Sequence, residues 1–257
     1  MQMQNRIRQR LAEGEMVTGM ILFTGSPMMI EMMAAADVDF VIIDMEHSAL
    51  DLDRAAHCIR AADASGVTPF VRVPEVDSAL IKKLLNLGAA GIALPHANRE
   101  NCAALLNAMR YAPEGERGAC PMVRAAGYTR GDWNAYANRA NRETMAIPLL
   151  EDAASIADFD ALAAMPGLDV YFIGPTDLSI SLGVPGATFD EPKMRAALEK
   201  VVAAAKRHGK YVMTTIGNKL DIEYGRDIAK RGVQLIVYGT DADLFVDAMR
   251  KLRDVKE

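Results

Sequence analysis

Short runs of β-branched and other apolar residues recur along the whole chain, each followed by a longer stretch in which apolar residues repeat with a helical period. The short runs are Val17–Leu22, Asp39–Asp44, Pro69–Val73, Gly91–Leu94, Met145–Leu150, Asp169–Ile173, Lys210–Thr214 and Val233–Tyr238. The helical period is plain in Leu52/Ala55/Ala56/Ile59, in Met194/Leu198/Val201/Val202/Ala205 and in Leu244/Phe245/Ala248/Met249/Leu252. Gly66, Gly167, Gly209 and Gly232 stand just before runs, where left-handed helix caps are predicted. Strands this apolar are buried on both faces, and strands that alternate with helices pair in parallel. Eight such units close into a (β/α)8 barrel, the TIM-barrel architecture, and 257 residues suit a single domain of that kind spanning 1–257.

Charge and cysteine usage exclude several classes. Lys+Arg 29 against Asp+Glu 34 gives a net charge of −5 with both signs dispersed, so no basic stripe offers a nucleic-acid face. Cys58, Cys102 and Cys120 form no C-x-x-C pair. Two of them lie in apolar helical stretches as small core residues, and a reducing cytoplasm is the expected location. The segment MQMQNRIRQRLAEGE has no continuous apolar core of a signal peptide. The uncharged stretch from Met16 to Ile30 is too short to span a bilayer and is broken by Gly25-Ser26-Pro27, so no membrane partner is expected. Sixteen methionines are many, and at helical spacing they fill core gaps.

One connection breaks the rhythm. Residues 111–144 carry Ala-Pro-Glu-Gly-Glu-Arg-Gly, then Arg124, Gly127, Tyr128, Trp133 and Tyr136. A long aromatic and polar insertion of this kind is expected to be functional and to reach over the C-terminal mouth of the barrel.

Active sites of such barrels lie just past the strand ends. Those positions hold Asp44, Glu46 and His47 after the second run, Arg72 near the end of the third, and His96 after the fourth. Glu151 and Asp152 follow the fifth, and Gly174, Pro175, Thr176 and Asp177 the sixth. Glu151 and Asp177 lie 26 residues apart, about one strand–helix–strand unit, which predicts equivalent heights on neighbouring strands. Strands about 4.8 Å apart can bring two inward carboxylates to the roughly 3 Å that separates cis ligands of one octahedral ion. With no Cys or His next to them in sequence, the pair favours Mg²⁺ or Mn²⁺. The plain alternative is that one of them caps the following helix, a task Asp152 or Ser155 performs equally well. His57 falls within a helix and His208 at a helix C-terminus, both structural positions, whereas His47 has Asp44 and Glu46 beside it to orient its ring as an acid/base. Arg72, flanked by Val71 and Val73, either pairs with a structural carboxylate or receives an anionic substrate, and its place at the mouth favours the substrate.

These residues carry a family resemblance. Asp-Phe-Val-Ile-Ile-Asp-Met-Glu-His-Ser (39–48), Val-Arg-Val-Pro (71–74), Leu-Gly-Ala-Ala-Gly-Ile (87–92), Arg-Tyr-Ala-Pro-Glu-Gly-Glu-Arg-Gly (110–118) and Phe-Ile-Gly-Pro-Thr-Asp-Leu-Ser-Ile-Ser-Leu-Gly (172–183) resemble the HpcH/HpaI aldolase family, in order and spacing, from about Gly14 to Leu252. The resemblance implies a barrel of the phosphoenolpyruvate/pyruvate type and a metal-dependent, class II 2-oxo acid aldolase, a carbon–carbon lyase. Glu151 and Asp177 would be the metal ligands for Mg²⁺ or Mn²⁺, with Co²⁺ a further option. His47 would be the acid/base, Asp44 its support and Arg72 the cation that stabilises developing oxyanion charge. The backbone at Gly174, Pro175 and Thr176 would line the pyruvate moiety. The resemblance also implies a homohexamer whose C-terminal helix is exchanged between subunits, which the apolar last helix permits.

The chemistry follows from these parts. No lysine stands in a clear Schiff-base position, so the electron sink for cleavage of a 4-hydroxy-2-oxo acid into pyruvate and an aldehyde is expected to be the metal. Three positions depart from the family pattern: Leu149 stands where glutamine is frequent, Asn86 where an aspartate is common, and His96 puts a second imidazole near the mouth. If the aspartate tunes a histidine across a subunit boundary, Asn86 weakens that base. These departures point to an unusual acceptor aldehyde or reaction direction. The rival readings are a citrate-synthase-like or decarboxylating reaction on oxaloacetate, a phosphosugar isomerase, which requires a Gly-rich phosphate loop after the last two strands that Thr215–Gly217 and Gly239–Thr240 match only faintly, and a non-catalytic barrel that binds 2-oxo acids.

Overall fold

A computed structural model describes residues 4–128 and 131–253. In chain order it runs α1 (Arg6–Ala12), β1 (Val17–Leu22), α2 (Pro27–Ala35), β2 (Phe40–Asp44), α3 (Leu52–Ser65), β3 (Thr68–Arg72), α4 (Ser78–Leu87), β4 (Gly91–Leu94) and α5 (Arg99–Met109). It continues through α6 (Trp133–Glu143), β5 (Met145–Leu150), α7 (Ala153–Ala157), α8 (Phe159–Ala163), β6 (Val170–Ile173), α9 (Pro175–Ser181), α10 (Pro192–Arg207), β7 (Tyr211–Thr215), α11 (Ile222–Lys230), β8 (Leu235–Thr240) and α12 (Asp241–Arg253). The strands pair in sequence order as a closed barrel, β8 returning to β1, and every pairing is parallel. The predicted (β/α)8 architecture is therefore the observed one. Gly66, Gly167, Gly209 and Gly232 all have positive φ, as their cap positions predict. The eighth strand ends two residues later than its β-branched run, because Thr240 still pairs with Ile21 beyond a bulge that sets Tyr238 and Gly239 of β8 against Met20 of β1.

Two apolar layers hold the barrel. The inner one stacks Val17, Ile21, Phe40, Ile42, Phe70, Ile147, Leu149, Phe172, Met213 and Val237 inside the strands. The outer one packs the other strand faces against the helices, with Val41, Ile43, Ile59, Leu84, Leu105, Tyr171 and Leu198 among its members. Gly19 is glycine because the Phe40 ring fills the interior beside it: a Cβ there would stand 2.2 Å from that ring. Helix α1 plugs the N-terminal end, its Ile7 and Leu11 joining the inner layer. Asn5 caps that helix, accepting from the amides of Ile7 and Arg8, and its Nδ2 donates to the carbonyls of Ala90 and Glu143.

The described residues of the 111–144 segment are anchored at the N-terminal rim of this chain and not over its own mouth, where the sequence-based expectation put them. The helices run back against the strands, so a segment between a helix and the next strand begins and ends at the N-terminal rim. There Arg110 donates from Nη1 to the Thr144 carbonyl (3.0 Å), and Asn141 exchanges hydrogen bonds with the backbone of Tyr111. Arg124 donates to the Leu87 carbonyl and pairs with Asp63 at 2.6 Å, both at the C-terminal ends of helices. Tyr111, Trp133 and Tyr136 form an aromatic knot with Ala137 and Ala140. The insertion is a small annex to the core. No described helix is long and apolar enough to cross a membrane.

Candidate active site

Arg72 is the pivot of the mouth. The register places it beside Asp44 on one side and Ala93 on the other. Its guanidinium donates to Asp44 in a fork, Nε to Oδ1 at 3.0 Å and Nη2 to Oδ2 at 2.6 Å. Both side chains are buried. Burial would lower the arginine's pKa, but the bonds to Asp44 and the charges of Asp44, Glu46 and Glu151 carry it upward, so it is a fixed cation. Of the two sequence readings, pairing with a structural carboxylate is thus realised, and no described residue accepts from Nη1. The fork holds the guanidinium in one orientation and leaves that edge for an oxygen of a ligand.

Asp44 does not touch the His47 ring. Its Oδ1 instead accepts from the backbone amides of Glu46 (2.9 Å) and His47 (3.4 Å), and the Ser48 hydroxyl donates to its carbonyl. Asp44 therefore shapes the turn that carries His47, while the ring's acidic neighbour is Glu46, with Oε2 at 3.6 Å from Nε2. That carboxylate is also 3.2 Å from Arg72 Nε, an ion pair without hydrogen-bond geometry, which leaves Oε2 buried and unbonded. Burial raises the Glu46 pKa, opposed by Arg72 and His47 and reinforced by Glu151 and Asp44. The motif pointed to Glu46 only as a neighbour of His47; its burial against the cation was not readable from spacing.

Glu151 is almost fully buried just past β5, with neither lysine nor arginine within ion-pair distance among the described residues. Asp152 caps α7, accepting from the Ser155 amide at 2.7 Å, so helix capping makes no claim on Glu151. The register sets it level with Gly174: Leu150 pairs with Ile173, and the Gly174 amide donates to the Leu150 carbonyl. A Cβ at Gly174 would lie 2.9 Å from Glu151 Cγ and 3.0 Å from Oε1. The glycine thus makes the cradle in which the carboxylate sits. Asp177 is not at the same strand height as Glu151, as sequence spacing predicted. It lies three residues beyond Gly174, in the first turn of α9, exposed and without an ion-pair partner among the described residues. Pro175 is buried and Thr176 exposed in that turn.

His96 follows β4 with φ of 50°, a left-handed conformation uncommon for a residue with a Cβ. Its amide donates to Glu151 Oε2 at 3.0 Å, and Asn101, half of a capping box with Asn98, donates to its carbonyl at 2.9 Å. The amide contact with Glu151 was not legible in the sequence.

The other departures fall away from the mouth. Leu149 packs inside the barrel. Asn86 accepts at 2.9 Å from Nη2 of Arg117, a buried cation stacked 4.4 Å over the Tyr111 ring. Burial pushes that guanidinium's pKa down. Within one subunit, Asn86 is therefore the partner of an arginine of the annex. His57 stands within α3 with Nε2 3.7 Å from Asp53, and His208 at the C-terminus of α10 with Nε2 3.2 Å from Asp160, both away from the strand ends. Lys219, in the connection after β7, is exposed and paired with Asp190. The phosphate loop of the isomerase reading is also missing from the described residues. Asp241 accepts from the amides of Phe23 and Thr24, and the Thr240 hydroxyl caps α12 by accepting from the Asp243 amide while the Asp243 carboxylate accepts from the Thr240 amide, so this corner is already occupied by negative charge.

The mouth therefore combines a locked cation, an exposed imidazole beside a half-buried acid, a buried carboxylate just past β5 and an exposed one in the first turn of α9, on a parallel barrel. The chain is 32% identical to a hydroxypyruvate/pyruvate aldolase of Agrobacterium fabrum, over 97% of this chain and 92% of that protein. An HpcH/HpaI aldolase structure from Desulfitobacterium hafniense superposes with a TM-score of 0.90 at 29% identity, covering 98% of this chain and 96% of that one. The citrate synthase SbnG superposes with a TM-score of 0.86 at 31% identity, covering 99% of this chain and 98% of that one. Residues 18–248 match the family model described as HpcH/HpaI aldolase/citrate lyase, and the chain belongs to that family, as an enzyme of the aldolase type.

Proposed function

We propose that this enzyme reversibly cleaves a 4-hydroxy-2-oxo acid to pyruvate, or a related 2-oxo acid, and an aldehyde, with a divalent cation held by Glu151 and Asp177. The observation that carries the reading is Glu151, a buried carboxylate in a glycine-made cradle with no lysine or arginine within ion-pair distance among the described residues. A buried acid of that kind needs a counter-charge, and the unpaired Asp177 supplies the second oxygen donor for a hard ion. Bound there, Mg²⁺ or Mn²⁺ would act as a Lewis acid toward the 2-oxo group.

The chain's own residues divide the remaining work. Nη1 of Arg72 faces developing negative charge on the substrate oxygen, already oriented by Asp44. The first turn of α9, at Gly174, Pro175 and Thr176, flanks the 2-oxo acid. His47 takes the proton of the 4-hydroxyl as the bond between C3 and C4 breaks, the electron pair passes to C3 to give the enolate, the aldehyde leaves, and a proton taken up from solvent at C3 completes pyruvate. In the synthetic direction His47 returns that proton. Glu46, 3.6 Å from the ring, bears on its orientation and charge.

Stripping the protein with a chelator should abolish pyruvate release, and Mg²⁺ or Mn²⁺ should restore it. Full activity in chelator, or unchanged metal content after Glu151→Ala and Asp177→Ala, would overturn the proposal. The similarity to a citrate synthase favours one second reading, condensation on oxaloacetate. Product analysis after feeding oxaloacetate, against pyruvate with a panel of aldehydes, separates the two.

The hexamer with exchanged C-terminal helices is part of the same proposal. Helix α12 buries only Asp241 and leaves Phe245, Val246, Met249 and Leu252 exposed. An apolar groove of about 360 Å³, lined by Met16, Ile216, Leu220, Ile222, Ile236 and Tyr238, lies between α11 and the strands β1 and β8. Removal of residues 242–257 should yield a smaller assembly in light scattering; an unchanged mass would exclude the exchange.

A further inference from the structure

The imidazole of His96 has no part in the chemistry above, yet it is placed with care. Three features fix it: a left-handed backbone, an amide bonded to Glu151, and a carbonyl held by Asn101 of the α5 capping box. The ring itself is free, 70% exposed, with Nδ1 3.7 Å from Glu151 Oε2. Its only acidic neighbour within ion-pair distance among the described residues is the carboxylate assigned to the cation. Holding a side chain in the left-handed region costs on the order of 1 kcal/mol, a cost that glycine would avoid.

We propose that His96 is an additional protein ligand of the cation site and shifts its preference from Mg²⁺ toward borderline ions such as Zn²⁺ and Co²⁺. The inference rests on the reading that Glu151 and Asp177 hold a cation. Two donors bound to one such ion at about 2.1 Å lie roughly 3.0 Å apart in octahedral and 3.4 Å apart in tetrahedral geometry. The observed 3.7 Å closes to either value by a small rotation of an exposed ring. Among the described residues no three acidic, histidine or cysteine side chains already stand as a preformed ligand group, so the ring closes on the ion as it binds. Oxygen donors alone suit Mg²⁺, whereas a neutral imidazole adds little for that ion and much for Zn²⁺ or Co²⁺. The imidazole forms a coordinate bond through its ring lone pair, and no group is oxidised or transferred.

The test uses full-length protein stripped of metal, with Zn²⁺, Co²⁺ and Mg²⁺ affinities measured by competition against a chromophoric chelator. Co²⁺ is also followed by its visible absorption. His96→Gly keeps the left-handed backbone and the amide bond to Glu151 and removes only the ring. It should lower Zn²⁺ and Co²⁺ affinity on the order of 10–100-fold and change the Co²⁺ spectrum, while Mg²⁺ affinity stays as it was. His96→Gln, a second variant, should give the same selective loss. Equal losses for all three ions, or an unchanged Co²⁺ spectrum in both variants, would overturn the proposal. Glu151→Gln separates the two levels. Loss of every ion there with no selective loss in His96→Gly refutes only the ligand role of His96, whereas full metal binding in Glu151→Gln refutes the underlying reading as well.

Discussion

Replacing Asp44 by alanine should destabilise the protein through the charge it leaves behind, more than through the bonds it removes. Asp44 is completely buried and takes both forks of Arg72, which is itself 7% exposed. Removing one partner of a buried ion pair costs about 3–5 kcal/mol. Here Glu46 keeps an oxygen 3.2 Å from Nε, so one counter-charge remains and the low end applies. For a chain of this length about 3 kcal/mol corresponds to a fall in Tm of roughly 6–12 °C. Urea unfolding followed by circular dichroism and by the fluorescence of Trp133 would measure it, with Arg72→Met and the double variant completing a cycle. If an unpaired guanidinium is the cause, the double variant should recover at least about 2 kcal/mol of the single loss. Additive losses in the two single variants would refute the reasoning, because they would mean that the fork carries no coupling.

Gly174→Ala should leave the barrel folded but crowd Glu151, at a cost of about 1–3 kcal/mol in stability and with a marked loss of metal affinity in equilibrium dialysis. Asn86→Asp should stabilise the protein by about 1 kcal/mol in denaturant titration at neutral pH, by giving Arg117 a charged acceptor, and the gain should vanish as the pH falls through the carboxylate range. Burial holds Glu46's pKa above its ordinary value, so the folded state binds its proton more tightly than the unfolded chain does. Its contribution is therefore full below the ordinary carboxylate range and is lost as the pH rises through the elevated value. Stability against pH for the metal-free protein should flatten in that window in Glu46→Gln; an unchanged profile would refute the burial argument.

The barrel was legible because its evidence is repetitive. Eight apolar runs and glycine stops each repeat one local rule, and an error of two residues at β8 does not alter the topology. The mouth was legible as a set of positions, since strand ends can be counted. Contacts made there were not. Spacing could not show that Asp177 sits a helical turn beyond Glu151's level, because a run's end does not mark where a helix begins. Nor could it show that Asp44 grips Arg72 and not the His47 ring, since both partners lie within reach of the same turn. The misplacement of residues 111–144 has a different origin. Aromatic and polar content was read as function, while the direction of the chain through α5 already fixed the segment at the opposite rim.

The helix that stoppers the barrel closes it with residues made long before their neighbours. Asn5 is fastened to Glu143, 138 positions later, and Arg8 to Asp169, 161 positions later. While the chain is being synthesised, α1 leaves the ribosome before any strand exists, and its docking is complete only once the residues flanking the fifth and sixth strands are made. Closure of the bottom is then a late, long-range event, which slows folding. A nascent chain stalled before β6 would carry Ile7 and Leu11 uncovered, a handle for chaperones that the finished protein does not present.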